Sequence, residues 1–301
     1  MKLQQAQRNQ VKLRLGLSGA SGFGKSYSAL LLAYGITEDW TKIAVIDTEN
    51  NSASLYAHLG DFNVLQLNEP YSPERYIEAI RMCENASIEV IIIDSITHEW
   101  QGKGGCLQLH EQLGGRFQDW SKISPRHQAF IDAILQSSCH VITTTRRKID
   151  YSLDSDQNGR TKVIKHGTKE ITRDGYEYEL TVNFELINDK HLAVASKDRT
   201  GLFMNRPEFL IGKGTGKILK DWCLSGKPEQ DLLLSIDEEI NNCETLEELR
   251  SLFSKYPNQQ TKIKDRVIQR KTEIEKISNQ VIPPNQIVQS HKNSSNGIDS
   301  K

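Results

Sequence analysis

The chain reads as an α/β protein with a mostly parallel sheet, helices on both faces of that sheet, and a small helical C-terminal region. Three observations predict this. Short β-branched apolar runs alternate with helical stretches from residue 11 to about 200, the pattern of strands joined by crossover helices. A glycine-rich loop, Gly19-Ala20-Ser21-Gly22-Phe23-Gly24, joins the first strand-like run to the first helix. From Pro228 onward the pattern changes to charged amphipathic helices.

Taken in order, Val11 to Ser18 alternates apolar and polar residues as a strand does, with Val11, Leu13, Leu15 and Leu17 on one face. Tyr27 to Tyr34, rich in Ala and Leu, reads as a helix. Lys42 to Asp47, Glu89 to Asp94 and His140 to Thr145 are short β-branched runs bounded by polar residues, and read as core strands. Ser72 to Glu84 carries a helix start, with Ser72 as N-cap and Pro73 at the first helical position. Pro125 to Gln136, preceded by Ser124, repeats that signature. Tyr176 to Ile187 and His191 to Ala195 read as strands joined at Asn188-Asp189 in an antiparallel hairpin. Asp231 to Asn241 and Thr245 to Lys255 form an amphipathic pair, Thr245 and Glu248 making a capping box, and Lys262 to Lys276 is a third helix. The Asn-, Ser-, Gln- and Pro-rich end is expected to be a disordered tail. The expected domains are a core over 1–227, helices over 228–276 and a tail over 277–301.

A length of 301 residues with 37% hydrophobic content accommodates one sizeable α/β domain and a smaller appendage. The formal net charge of −1 gives no global preference for nucleic acid, so any such contact must come from local patches. The five cysteines, Cys83, Cys106, Cys139, Cys223 and Cys243, are odd in number, widely separated and without a C-x-x-C pair. They predict neither a disulfide framework nor a zinc site, and a reducing cytosol is the simplest setting. The eight histidines show no H-x-x-x-H pairing, so no transition-metal site is expected. Met1 to Gln10 is polar and no apolar run approaches membrane-spanning length. A cytoplasmic protein with no membrane partner is expected.

Gly19 to Ser26 fits G-x-x-x-x-G-K-[ST] at every fixed position, between a strand and a helix as that loop requires. Glycines at 19, 22 and 24 let backbone N–H groups turn inward, and the following helix adds the positive end of its dipole. The pattern predicts a nucleoside triphosphate site formed by Gly19, Ala20, Ser21, Gly22, Phe23, Gly24, Lys25, Ser26 and Tyr27. Lys25 is expected on the β- and γ-phosphates and the Ser26 hydroxyl on Mg²⁺. Val90 to Asp94 is a buried-strand run ending in a carboxylate, which places Asp94 as the second Mg²⁺ group.

Residue 95 is Ser, where many ATPase classes carry the glutamate that polarises the attacking water. The base must come from elsewhere. Glu49, following the strand Ile43 to Asp47, and Glu99, just beyond Asp94, are the two candidates. Gly212 to Lys217 looks like a second phosphate loop, but Ile211 and Ile218 occupy two of its fixed positions, and the stretch is expected to be a turn into the helix around Trp222.

Four features together resemble the RecA-like recombinase ATPases: Gly19 to Ser26, the strand end Ile46-Asp47-Thr48-Glu49, the strand end Ile92-Ile93-Asp94-Ser95, and Lys197-Asp198-Arg199. The likeness runs over residues 10 to 225 and is nearest to the short phage-encoded members, loosely grouped with AAA-family ATPases, some of which anneal single strands. It implies a RecA-like P-loop core, Mg·ATP as cofactor and ATP hydrolysis, with Glu49 as the catalytic glutamate. Lys197-Asp198-Arg199-Thr200-Gly201 is similar to an element that reaches the nucleotide of the neighbouring subunit, with Asp at 198 for Asn and Thr at 200 for Phe. The resemblance therefore implies that Lys197 and Arg199 act in trans, as arginine fingers do, within a homo-oligomer.

It also implies two mobile DNA-facing loops. Gln101 to Arg116 has the glycine density of a flexible segment, with Gly102, Gly104, Gly105, Gly114 and Gly115. Arg146 to Glu170 holds seven Lys/Arg against four Asp/Glu, and Tyr151 adds a base-stacking surface. Thr145 and Arg146, at a strand end, are alternatively placed to sense the γ-phosphate. Single-stranded DNA, a second copy of the chain, and a single-strand binding or replication protein docking on the C-terminal helices are the expected partners. A nucleotide-gated binding module of the KaiC-like or replication-accessory kind is the competing reading.

Overall fold

The computed structural model describes residues 11–155, 161–225, 229–257 and 259–280. The chain divides into two compact units, Met1–Gly226 and Lys227–Lys301.

The first unit begins with β1 (Arg14–Gly19) and α1 (Lys25–Thr37), then β2 (Ile43–Asp47), β3 (Asn63–Gln66) and α2 (Pro73–Asn85). It continues through β4 (Val90–Asp94), the short α3 (Thr97–Gln101) and α4 (Cys106–Gln112), and the longer α5 (Trp120–Gln136). A long β5 (His140–Ser155), β6 (Thr161–Glu170), β7 (Val182–Leu186), β8 (Leu192–Asp198), β9 (Phe209–Leu210) and α6 (Lys213–Leu224) complete it. The sheet order is β3-β2-β4-β5-β1-β7-β8-β9, with β6 on the outer stretch of β5. From β3 to β7 all neighbours are parallel, and β8 and β9 are antiparallel additions.

The central strands β1, β2 and β4 are buried along their whole length, as strands covered on both faces must be. Leu13, Leu15 and Leu17 share one core with α1 and α6. Ile91, Ile93 and Val141 share the other with Tyr76 of α2 and Phe130 of α5. Helices α1 and α6 meet backbone to backbone. A Cβ built at Gly35 would lie 2.0 Å from the Lys213 carbonyl oxygen, and one at Gly216 would lie 2.2 Å from that of Leu32. The second glycine run, expected as a turn, is from Lys213 onward the start of α6 itself, and its Gly216 serves close packing.

Several elements differ from the sequence expectations. Pro125 lies inside α5, which starts five residues earlier at Trp120, rather than at its first position. A 3-10 turn at Tyr176–Glu179 precedes β7, because the Gly175 backbone (φ 94°) turns the chain before it can extend. The stretch 101–116 contains α4 and is not an open loop. The glycines at 102, 104 and 105 sit where side chains would collide: a Cβ at Gly102 would be 2.5 Å from the His98 carbonyl oxygen, and one at Gly104 2.4 Å from Pro70 Cβ. β5 does not stop at Thr145 but runs on and pairs antiparallel with β6. β3 and the 3-10 stretch Ser52–Leu59 carry no strong pattern in the sequence.

In the second unit α7 (Glu229–Asn242), α8 (Leu246–Lys255) and α9 (Gln260–Gln280) bury Ile236, Ile240, Leu249, Leu252, Ile263 and Ile274 together. The capping box is present: the Glu248 N–H donates to Thr245 Oγ1 and the Thr245 N–H to Glu248 Oε2, both at 3.2 Å. α9 runs past residue 277, where the tail was expected to begin, and residues 281–301 lie outside the described ones. Among the described residues no helix is long and apolar enough to cross a membrane.

Candidate functional site

The parallel strands bring their C-terminal ends to one edge, and the loop after β1 opens there. Gly22 and Gly24 hold φ of 82° and 85°, the left-handed region that costs glycine little. That geometry turns the loop over the N-terminus of α1, whose first turn carries no acidic residue to compete for an anion. Lys25 Nζ folds back over the loop and donates to the carbonyls of Gly19 (3.1 Å) and Ala20 (2.8 Å). Burial lowers its pKa, opposed by the charges of Asp94 and Glu49. Phe23 packs its ring against the core beneath the loop.

Asp94, at the end of β4, is buried, with its two oxygens committed to different hydroxyls. Ser26 Oγ donates to Oδ2, and Thr144 Oγ1 donates to Oδ1 at 2.5 Å. Burial raises the Asp94 pKa, against the pull of those two hydrogen bonds. A hydroxyl and a carboxylate already in contact, at the rim of an anion-binding loop, are the hard oxygen donors that Mg²⁺ takes.

Glu49 follows β2 and faces the same space. Arg146 at the rim of the sheet, beside Gly19 in register, holds its Oε1 through Nε at 3.0 Å and Nη2 at 2.8 Å. Burial pushes the Glu49 pKa up, but the hydrogen bond and charge of Arg146 outweigh it and hold the carboxyl below its ordinary value. Asp47 braces the turn by accepting the N–H groups of Glu49 (2.7 Å) and Ala53 (2.8 Å). Thr48 ties the ends of β2 and β4, accepting the Ser95 N–H at 2.9 Å and meeting His98 Nδ1 at 2.7 Å.

The cleft of about 380 Å³ over the loop is lined by Ser21, Gly22, Gly24, Lys25, Ser26, Tyr27, Glu49, Tyr56, Asp94, Arg146 and His191. Two of these escaped the sequence reading. Tyr56 stands on the 3-10 stretch with its ring 5.9 Å from that of Tyr27. His191, in the β7–β8 turn, closes over Gly24, where a Cβ would lie 2.9 Å from its Nδ1. Both arrive from elements with no motif.

Glu99, the other candidate base, is not in this cleft. It is 1% exposed and bonded to His127 Nδ1 (3.0 and 3.1 Å) and to the Cys106 thiol (3.0 Å). One ligand atom from each of Glu99, Cys106 and His127 lies within 4.8 Å of the others. Histidine spacing alone had given no sign of such a donor group, because its members come from three helices.

Lys197 and Arg199 also lie outside the cleft of their own chain. β8 runs antiparallel, so while Ala193 pairs with Leu186 near the phosphate loop, Asp198 pairs with Val182 at the opposite end of the sheet. There Lys197 donates to the carbonyls of Glu177, at 2.8 Å, and Tyr178, and Arg199 Nη2 to that of Tyr178 at 2.6 Å. The basic triplet after Thr145 divides in three. Arg146 serves Glu49, Arg147 turns inward to Glu185 at 3.0 Å, and Lys148 is exposed. The side chain of Tyr151 lies outside the described residues.

A family model described as an AAA domain matches residues 11–213. The chain belongs to this AAA-domain family. No curated protein matches the chain. The AAA domain contains every residue of the cleft, from Ser21 to His191. It is an α/β P-loop NTPase domain, and the loop, the Ser26–Asp94 pair and the Lys25 ammonium fit the nucleotide and divalent cation such domains take.

Proposed function

We propose that the protein is a Mg·ATP-dependent, RecA-like ATPase that works on single-stranded DNA and supports phage DNA recombination, annealing or repair. The observation that carries this reading is the convergence of Lys25, Ser26, Asp94, Glu49 and Arg146 on one cleft. Arg146 is also the residue at which β5 leaves the core for its hairpin. A carboxylate placed to take a proton from water is thereby tied to an element that projects from the site.

In this reading Lys25 exchanges its two loop carbonyls for phosphate oxygens, which are stronger acceptors. Ser26 and Asp94 would hold Mg²⁺, whose charge would offset that developing on the phosphates. Glu49 orients the attacking water and accepts its proton through Oε2, the oxygen that Arg146 does not hold. Tyr27 and Tyr56 give the base an aromatic surface. Lys197 and Arg199 act on the nucleotide of a neighbouring copy in a homo-oligomer, and the C-terminal helices dock a single-strand binding or replication partner.

Steady-state ATP hydrolysis with and without single-stranded DNA tests the reading, with Lys25→Ala as background. Several-fold stimulation that disappears in Lys25→Ala supports it. Hydrolysis indifferent to DNA favours instead the nucleotide-gated binding module, a reading that the Arg146–Glu49 pair also suits because it ties one oxygen of the base.

A further inference from the structure

We infer that Glu99, Cys106 and His127 form a binding site for Zn²⁺ outside the nucleotide cleft, a site that the cysteine and histidine spacings do not predict. It is independent of the DNA reading. The three side chains come from α3, α4 and α5 and are 1%, 0% and 3% exposed. The Cys106 thiol donates to Glu99 Oε1 at 3.0 Å, and His127 Nδ1 lies 3.1 and 3.0 Å from Glu99 Oε1 and Oε2. One donor atom of each lies within 4.8 Å of the other two. A tetrahedral Zn²⁺, with bonds of about 2.0–2.3 Å, spaces its donors about 3.4–3.6 Å apart. Opening the short contacts by roughly half an ångström admits the ion.

The chemistry of the donors selects the ion. A thiolate is too soft for Mg²⁺ or Ca²⁺, whereas Zn²⁺ takes sulfur, imidazole nitrogen and carboxylate oxygen together. Thiolate, carboxylate and neutral imidazole carry two negative charges, which a divalent cation cancels, so the loaded group adds no net charge to the interior. Uptake releases the thiol proton, and the imidazole binds through Nδ1 with its own proton on Nε2. Apolar side chains would fill this space at less cost than these polar ones, and ligation gives their burial a reason. Aromatic rings cover the group: Trp100 meets His127 edge-on at 5.3 Å between ring centroids, and Phe130 lies at 6.5 Å. Three protein donors leave the fourth position to water. His127 also lines a cleft of about 430 Å³ with Ser124, Pro125 and Gln128, which gives ion and water a way in.

α3 has five residues and α4 seven, too few to persist alone, and the ion would fasten both to the longer α5. α3 also supplies Thr97 Oγ1, which accepts the Arg146 N–H at 3.0 Å, and His98, whose Nδ1 meets Thr48 Oγ1 at 2.7 Å. A cation on Glu99 therefore steadies the element against which Arg146 and Thr48 are set.

The test is cobalt and zinc titration of the untagged, full-length protein after chelation, with Mg²⁺ in excess so that Ser26 and Asp94 do not compete. Co²⁺ is expected to give a thiolate-to-metal charge-transfer band in the near ultraviolet and the visible bands of tetrahedral coordination. Zn²⁺ is expected to bleach both at about one equivalent per chain and to raise the melting temperature. Cys106→Ser is expected to lose the charge-transfer band and to bind Zn²⁺ about 100-fold more weakly or worse. His127→Gln, which keeps the thiol, is expected to show the band only at higher Co²⁺. Melts without metal check that both variants fold. A band that persists in Cys106→Ser would place the metal on another cysteine and overturn the site. Wild type with no band, and no melting shift at equimolar Zn²⁺, would overturn it as well and leave Glu99 and His127 as a buried hydrogen-bonded pair.

Discussion

The Arg146 guanidinium stands 2.8 Å from Glu49 Oε1, and the Arg146 backbone pairs in register with Gly19, the first residue of the phosphate loop. One cation thus touches the carboxylate proposed to activate water and lines the cleft proposed to hold the nucleotide. It is also the point at which a core strand turns into a projecting hairpin.

Removing that cation has a definite sign. Arg146 holds the Glu49 pKa down against burial, so Arg146→Ala raises it. The base is then protonated over a wider acidic range, and the acidic limb of the pH–rate profile moves to higher pH. A limb that stays in place would show that Glu49 is not the titrating base.

Burial raises the Asp94 pKa, so the fold holds the charged carboxylate less easily than water does. Asp94→Asn is expected to melt at the same temperature or higher without ligands, by up to about 1 kcal/mol. The added stability that Mg·ATP gives the wild type is expected to vanish. Melting curves with and without Mg·ATP check both parts.

His140 makes the core sensitive to acid. Its Nδ1 accepts the Leu13 N–H at 2.9 Å, which needs a bare ring nitrogen, and burial lowers its pKa from 6.5 to about 4. Its contribution is complete above pH 6.5 and is lost as pH falls toward 4, because the unfolded chain takes up the proton first. The loss is of order 3 kcal/mol. Urea melts across that window should show a shallower pH slope for His140→Gln than for wild type.

The contact between α1 and α6 leaves no room for a methyl group. A Cβ at Gly216 would lie 2.2 Å from the Leu32 carbonyl oxygen, an atom of the helix that carries Lys25 and Ser26. Gly216→Ala is expected to cost about 2–3 kcal/mol by forcing the helices apart. Gly214→Ala, where a Cβ meets nothing within 4 Å, is expected to be nearly neutral. Equal melting temperatures for the two variants would contradict this packing.

The nucleotide half of the site was legible in the sequence because each part is local. A glycine loop ending in Lys25-Ser26 and two strands ending in Asp47 and Asp94 write their positions into short runs of residues. The sheet brings them together without further instruction. Tyr56 and His191 were not legible, since both reach the cleft from turns whose residues carry no periodicity. The same holds for Glu99, Cys106 and His127, which meet only through the packing of three helices. The glycines at 102–105 misled for a physical reason: close packing selects glycine as strongly as flexibility does. The hairpin was half legible. Its charge could be counted, but only the fold shows that Arg146 and Arg147 turn to different partners and leave Lys148 exposed.

Single-turnover hydrolysis of ATP on single-stranded DNA, comparing wild type with Glu49→Gln, tests the central claim most directly, with nucleotide affinity measured alongside. Glu49→Gln is expected to bind ATP as wild type does and to hydrolyse it about 100-fold more slowly or worse. Hydrolysis at the wild-type rate in Glu49→Gln would contradict the assignment of the base.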